Sequence, residues 1–316
     1  MNKVYIGIDT SNYTTSVAAV TSDNQYFSVK EPLTVEYGKL GVRQSDAVFL
    51  HTKNIPTVVK RLFSLLRGKL GEDLSVSAVG VSSKPRPLEN SYMPCFLSGV
   101  AIAESIAIAE NIPLYTFSHQ EGHIRSAIFG AGINVPDRFY SFHLSGGTCE
   151  LLENTKISFG FESRIISQTL DITLGQLVDR VGVMLGLSFP AGVMLENLAI
   201  KSDKKYKVNI KGNENINLSG FQNKAEKMLV DKVPFEDIAS FVYSVIMTSV
   251  ERMLQARGDN TIPVIFAGGV SGSAILQKYV KSICNAHFAC PELSSDNAVG
   301  VSLLAKEKFE KVSVNV

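Results

Sequence analysis

The sequence predicts an α/β fold made of two similar halves, with a ligand cleft between them. Three observations carry that expectation. First, three segments share one grammar, an apolar run, then small residues, then a turn: VYIGIDTSNYTTSVAAV (4–20), SFHLSGGTCELL (141–152) and IPVIFAGGVSGSAIL (262–276). Second, strand hairpins followed by alternating helix and strand occur twice along the chain, the pattern of a duplicated α/β unit. Third, 45% of the 316 residues are hydrophobic and 19% are charged, enough for packed cores and against wholesale disorder.

Each element has a local reason. Residues 4–20 and 141–152 read as β-hairpins, because β-branched or aromatic strand formers flank a tight polar turn. Between them, SDAVFLHTKNIPTVVKRLFSLL carries apolar residues at helical spacing, and Pro56 is expected near a helix start or at a kink. VSAVGVSSKP reads as a buried strand ending in a loop, GVAIAESIAIAENI as a helix rich in small residues, and PLYTF as a further strand. In YTFSHQEGH, Ser118 with Glu121 three residues later makes a capping box, which starts a helix at His119. Residues 262–276 read as strand, Gly-Gly turn and helix. The polar stretch KSDKKYKVNIKGNENINL (201–218) has five lysines between Lys201 and Lys211. It reads as a solvated insertion, with a basic contact patch as the alternative.

Composition excludes several classes. A net charge of +1 is too small for a dedicated nucleic-acid-binding domain, so a nucleic-acid contact is expected only as a local basic patch. The start, VYIGIDTS, has no long apolar leader, and SGVAIAESIAIAE is broken by Glu104, so no membrane association is expected. The four cysteines, Cys95, Cys149, Cys284 and Cys290, form no CxxC pair and read as reduced core thiols of a cytoplasmic protein.

The turns and two histidines carry the chemistry. Glycine turns let backbone N–H groups approach an anion without interference from a Cβ. LSGGTCE offers Gly146 and Gly147 between the hydroxyls of Ser145 and Thr148. GIDTSNYTTS offers Asp9, Thr10 and Ser11. AGGVSGS offers Gly268, Gly269, Gly272 and Ser273 at a helix start, where the helix dipole favours negative charge. Each turn alone is a common α/β feature. Together, in this order, they match the two phosphate elements and the adenosine element of the actin/hexokinase/heat-shock (ribonuclease H-like) nucleotide-binding fold, and not a Walker A loop or a Rossmann fingerprint. His119 and His123 lie one helical turn apart on one face, a spacing that suits a divalent metal. Two solvated or core histidines are the plain alternative.

Six motifs then resemble, in order, those of the TsaD/YgjD (glycoprotease-like) family. SHQEGH resembles its NHxxGH metal motif and LSGGTCEL its VSGGHTQL nucleotide loop. QTLDITLGQLVDRVGVMLGLSFPAGV resembles the stretch ending in GEAFDK…YPGGP. NLSGF resembles FSGLK, FAGGVSGSAIL the GGVAAN loop, and SSDNAVG the TDNAAM motif. The resemblance implies transfer of a threonylcarbamoyl group, carried on AMP, to the exocyclic amine of the adenosine beside the anticodon in certain tRNAs. It implies one divalent metal, iron or zinc with magnesium as a further option, on His119, His123 and Asp296. It implies ATP, AMP or threonylcarbamoyl-AMP on Ser145, Gly146, Gly147 and Thr148, on Asp179 at the ribose, and on Gly192, with Gly268, Gly269 and Ser273 on the adenosine side. Asp9, Thr10 and Ser11 fall on the transfer side. Implied partners are a tRNA, met through a weak basic patch, and a second copy or a shorter relative. The expected division is one lobe at 1–117 with 299–316, and another at 118–298 with an insertion around 155–225.

The departures mark a divergent member. Where the family reads GIETSCDET, this chain has GIDTSNYTT, with Tyr13 and Thr14 in place of an acidic pair. GEAFDK has become GQLVDR, so Gln176 replaces a Glu. Ser273 replaces the Asn of GGVAAN, and the GPGL-type loop reads KPRPLEN. Loss of acids removes charge able to position an amine or move a proton. Three readings follow: a threonylcarbamoyl or related transferase, a non-catalytic nucleotide-binding partner of such a complex, and a metallopeptidase. The last is disfavoured because Glu121 is claimed by the capping box and lies off the histidine face. A sugar kinase rests on fold analogy alone.

Overall fold

Two mixed sheets with matching strand sequences organise the chain. The computed structural model describes residues 2–11, 13–33, 42–294 and 297–314. The first sheet contains β1 (Asn2–Ser11), β2 (Thr14–Thr21), β3 (Tyr26–Pro32), β4 (Leu74–Lys84) and β5 (Leu114–Ser118), in the order β3-β2-β1-β4-β5. Helices α1 (Gln44–Leu70), α2 (Phe96–Glu110) and α3 (His119–Ala131) are interleaved with it. The second sheet contains β6 (Arg138–Leu144), β7 (Cys149–Lys156), β8 (Phe161–Thr169), β9 (Asn215–Ile216), β10 (Val264–Ala267) and β11 (Ala286–Phe288). Its helices are α4 (Leu174–Met184), α5 (Gly192–Ala199), α6 (Ser219–Val230), α7 (Phe235–Leu254), α8 (Ala274–Lys281) and α9 (Pro291–Ser294), and α10 (Ala298–Val314) returns to the first sheet. The order β8-β7-β6-β10-β11 repeats β3-β2-β1-β4-β5, with β9 added at one edge. In each sheet the first strand pairs antiparallel with its hairpin partner and parallel with the strand on its other side. The duplication expected from the hairpins is therefore present.

By internal packing the chain divides into Met1–Phe129, Lys156–Glu162 and Asp296–Val316 as one unit, and Gly130–Thr155 with Ser163–Ser295 as the other. The histidine helix α3 and the start of α10 thus belong to the first unit.

In the first unit β1 is buried from Val4 to Thr10, as expected of a strand covered on both faces. Ile6 and Ile8 pack with Val58, Leu62 and Leu66 of α1. Gly7 lies between them in sequence, so it faces the opposite side, where α10 passes over it. Helix α1 buries Ala47, His51, Ile55, Val58, Leu62 and Leu66, a stripe at spacings of three and four. Pro56 sits inside this 27-residue helix, so of the two expected places the helix start is excluded. It lies on the exposed side, where water can satisfy the carbonyl whose partner the proline ring removes. In the second unit Tyr140, Phe142, Leu144 and Phe266 from the sheet pack with Leu174, Leu177, Phe241 and Val245 from α4 and α7.

The segment 201–214 has no helix or strand, as its composition suggests, but it is anchored. Ile210 is buried, and Tyr206 meets Phe241 edge-on at 5.6 Å between ring centroids. Lys201, Lys205, Lys207 and Lys211 are exposed, while Lys204 pairs with Asp237 at 2.6 Å. Among the described residues no helix is long and apolar enough to cross a membrane.

In the first unit two glycines bring the backbone of α10 close to α3. A Cβ at Gly300 would run into the Gly122 carbonyl oxygen, and a Cβ at Gly122 would run into the Asn297 amide. Gly300→Ala is therefore expected to lower unfolding free energy by about 1–3 kcal/mol or more, the cost of overpacking. Chemical denaturation checks this, and an unchanged midpoint would show that the two helices separate freely.

Candidate functional site

The site is built from the start of α3. Ser118 Oγ accepts from the Glu121 N–H at 3.2 Å, and Glu121 Oε2 accepts from the Ser118 N–H at 2.8 Å and its hydroxyl at 2.7 Å. The capping box read from the sequence is thus formed, and it buries Glu121. His119 becomes the first residue of the helix and His123 follows one turn later. Their Nε2 atoms lie 3.0 Å apart, with ring centroids at 4.4 Å.

Behind His119 stands Asp9. It projects from β1, is 1% exposed, and its Oδ2 lies 2.9 Å from His119 Nδ1. The Ser11 N–H donates to Oδ1 at 3.1 Å. Asn297, immediately before α10, donates its amide hydrogens to Asp9 Oδ2 and to Ser82 Oγ, the latter at 3.1 Å. Burial alone pushes the Asp9 carboxyl up. The facing His119 imidazole and hydrogen bonds from His119, Ser82 and Asn297 outweigh it and hold the group below the usual carboxylate range.

Asp296, the third expected metal ligand, lies outside the described residues. Among the described residues no group of three His, Cys, Asp and Glu side chains is placed to hold a metal. The donor set still fits one in part. Two imidazole Nε2 atoms converge, and the opposite nitrogen of His119 faces a buried carboxylate, the support that metal-binding histidines commonly have.

The rest of the first hairpin is tied down locally. Thr10 donates its hydroxyl to the Cys95 carbonyl at 2.9 Å and accepts from the Gly99 N–H at 3.2 Å, so it anchors β1 to α2. Ser11 pairs with Thr14 across the turn, and Tyr13 is half-exposed, its carbonyl accepting from the Leu33 N–H at 2.8 Å. His51, which the sequence reading did not single out, is fully buried in the stripe of α1, with Nδ1 2.8 Å from Thr15 Oγ1. Burial pushes its imidazole below the ordinary value, against the charge of Asp9. Burial likewise raises the Cys95 thiol to about 11 and the Cys149 thiol to about 12, which leaves both unreactive.

In the second unit, parallel pairing of β6 with β10 sets two glycine turns side by side at the carboxyl ends of these strands. Gly268, at φ +92°, packs against the backbone of Leu144, the residue before the 145–148 turn. Ser145 Oγ accepts from the N–H groups of Gly147 and Thr148 at 3.3 and 3.0 Å, and Gly146 and Gly147 are exposed. A Cβ at Gly146 or Gly147 would meet nothing within 4 Å, so open space lies over this turn. The Thr173 hydroxyl donates to the Gly146 carbonyl at 3.0 Å. Thr173 also forms a capping box with Gln176 that starts α4. Gln176 therefore fills a role that Glu fills equally well, so this departure leaves the local structure intact.

Asp179 Oδ1 accepts from the Ala191 N–H at 2.9 Å and so fixes the approach to Gly192, whose carbonyl accepts from Tyr243 at 3.3 Å. Gly269 is exposed at the start of a 3-10 turn. Ser273 caps α8 by accepting from the Leu276 N–H at 3.1 Å, and it donates to Glu196 Oε1 at 2.8 Å, which also accepts from the Ile275 N–H. Glu196 was not found from sequence, since it sits in an ordinary helix pattern 77 residues from its partner.

A group whose folded pKa is lowered adds stability that is complete above its unfolded value of ~3.9 and is lost as pH falls through the folded value. Asp9→Asn is accordingly expected to flatten the acid limb of the stability-against-pH curve below about pH 4. Urea titrations across that range measure it, and an acid limb identical to wild type would contradict the buried, ionised carboxylate.

Comparison with known proteins identifies the family and the fold type. The model of the family described as TsaD, tRNA N6-adenosine threonylcarbamoyltransferase, matches residues 25–302. The enzyme of that name from Neorickettsia sennetsu is 25% identical, over 98% of this chain and 94% of its own. The one from Thermus thermophilus is 28% identical, over 97% and 93%. Among solved structures, HypF of T. kodakarensis superposes with a TM-score of 0.60 at 13% identity, over 98% of this chain and 48% of HypF. The activator of 2-hydroxyisocaproyl-CoA dehydratase from Clostridium difficile, with bound ADPNP, superposes at 0.54 and 13% identity over 100% and 98%. A ROK family glucokinase from Streptomyces griseus superposes at 0.53 and 12% identity, over 96% and 99%. These structures bear on the fold alone, the duplicated actin/hexokinase/heat-shock type.

Proposed function

The chain belongs to the tRNA N6-adenosine threonylcarbamoyltransferase family, and from that membership we propose that it moves a threonylcarbamoyl group from AMP to an acceptor amine, the N6 of a tRNA adenosine. In this reaction the amine nitrogen bonds to the carbamoyl carbon, the bond from that carbon to the phosphate oxygen breaks, AMP departs, and the amine loses a proton. The observation that supports the reading best is the pair of converging imidazoles backed by a buried carboxylate at His119, His123 and Asp9.

His119, His123 and Asp296 would hold one divalent metal, iron or zinc, which supplies Lewis-acid polarisation and phosphate binding. The chain's own groups supply the rest. The exposed Gly146–Gly147 turn, over which an added Cβ would meet open space, is the element assigned to phosphate oxygens, and Gly269, exposed beside the buried Gly268, is assigned to the same side. Asp179, already oriented by Ala191, is the group assigned to the ribose. Ser273 is engaged with Glu196 and with the cap of α8, so the adenosine side is read here through Gly268, Gly269 and the α8 N-terminus. A tRNA contact is assigned to the exposed Lys201, Lys205, Lys207 and Lys211, and the partner proteins are those of the family.

Tyr13 and Thr14 favour a second reading, a nucleotide-binding partner without transfer activity. Thr14 is held in the β ladder and Tyr13 is half-exposed where the family carries acids. The peptidase reading loses support, because Glu121 is buried and both its hydrogen-bonding directions at Ser118 are taken.

The test supplies threonylcarbamoyl-AMP, unmodified tRNA and the family's partner proteins, and measures the modified nucleoside. The expected rate is about 10²–10⁴-fold below that of a relative with the acidic pair, the usual loss with a missing general acid or base. No product above the protein-free control would favour the second reading, and a full rate would show that the acids are dispensable.

Two further outcomes follow from the geometry. Gly147→Val should abolish adenine-nucleotide binding with little loss of stability, since its side chain fills open space and not packed core. Asp179→Ala should weaken nucleotide binding by about 1.5–3 kcal/mol, the worth of a hydrogen bond to a charged group. Calorimetry with wild-type affinity in both variants would refute the placement. Metal content should fall in His119→Ala and in His123→Ala, and unchanged content in both would return the pair to ordinary polar residues.

A further inference from the structure

We propose that Asp9 and Asn297 act as a positioning pair for His119, fixing its proton on Nδ1 and turning its bare Nε2 toward His123 so that both imidazoles address one divalent cation. This deepens the metal reading given above and rests on it for the identity of the ligand.

Hydrogen-bond chemistry carries the assignment. An ionised carboxylate only accepts, so the 2.9 Å contact between Asp9 Oδ2 and His119 Nδ1 places the proton on Nδ1; the Asn297 amide nitrogen, also 2.9 Å from Nδ1, directs its two hydrogens to Asp9 Oδ2 and Ser82 Oγ. The remaining ring nitrogen, Nε2, faces His123 Nε2 at 3.0 Å. Asp9 is not free to swing, because Ser11 holds Oδ1 and Asn297 holds Oδ2. Asn297 in turn is anchored on Ser82 and lies against Gly122, the residue just before His123.

The arrangement is a poor choice for stability alone. Asn297 Oδ1 is buried with no hydrogen-bond partner among the described residues, and Asp9 is a carboxylate removed from water. A well-packed apolar group at either position would avoid both penalties. What the polar pair provides, and an apolar pair does not, is a defined histidine tautomer and ring orientation. Carboxylate support of a ligating imidazole also raises its basicity and typically changes metal affinity 10–100-fold.

The test has two readouts. Nitrogen-15 NMR of the metal-free protein, well above the ordinary histidine pKa of ~6.5, should show His119 protonated on Nδ1 and bare at Nε2, with signals assigned by their loss in His119→Gln. Zinc titration should then show Asp9→Asn and Asn297→Leu binding about 10–100-fold more weakly than wild type. The NMR measurement needs no substitution at the clamp and stands even where a variant fails to fold. A wild-type His119 protonated on Nε2 and bare at Nδ1 would overturn the proposal. So would undiminished zinc affinity in both folded variants. A fixed Nδ1 proton that is lost in Asp9→Asn, in a protein that binds no zinc at all, would support the positioning role while removing the metal reading.

Discussion

Everything at the histidine pair depends on one carboxylate held out of water. Removing an ion from water costs several kcal/mol, and only well-placed partners offset it. Asp9 finds its partners in four places: the imidazole of α3, its own hairpin turn, the Ser82 side of β4, and the amide that precedes α10. These elements meet because small residues let them. Gly7 admits α10 onto β1, and Gly122 with Gly300 brings α10 onto α3. Larger side chains there would move Asn297 off Asp9, and the orientation of His119 would go with it.

The second unit solves a different problem with the same topology. Its first hairpin carries no acid at the position equivalent to Asp9, but an open glycine turn closed underneath by the Ser145 hydroxyl. That turn is supported by Thr173 at the start of α4, and the neighbouring turn after β10 is supported by Glu196 at the start of α8. Departures from the family pattern thus differ in weight. Gln176 substitutes within a capping box that accepts it, and Ser273 makes a cap and a hydrogen bond to Glu196. Tyr13 and Thr14 leave the hairpin ladder intact, with Thr14 paired to Ser11.

Local patterns were legible in the sequence, and long-range ones were not. The capping box at Ser118, both hairpins and the strand–turn–helix at 262–276 follow from rules that act over a few residues, and all are present. The family motifs pointed to His119 and His123, which the fold does bring together. Asn297 was passed over although it stands next to Asp296, because its role appears only when it meets Asp9, 288 residues away. His51 was hidden in an apolar stripe, where its spacing reads as core. Between the two places expected for Pro56 the sequence did not choose, because the rule against proline in helices does not know which face meets solvent.

The central claim is that this buried clamp prepares two imidazoles for one metal ion in a threonylcarbamoyl transferase. Anomalous diffraction at the zinc edge, from crystals of the full chain grown with zinc, tests it most directly. The account predicts one strong peak bonded to Nε2 of both His119 and His123, with Asp9 still on His119 Nδ1. Zinc found only elsewhere on the chain, with the two histidines still in direct contact, would contradict it.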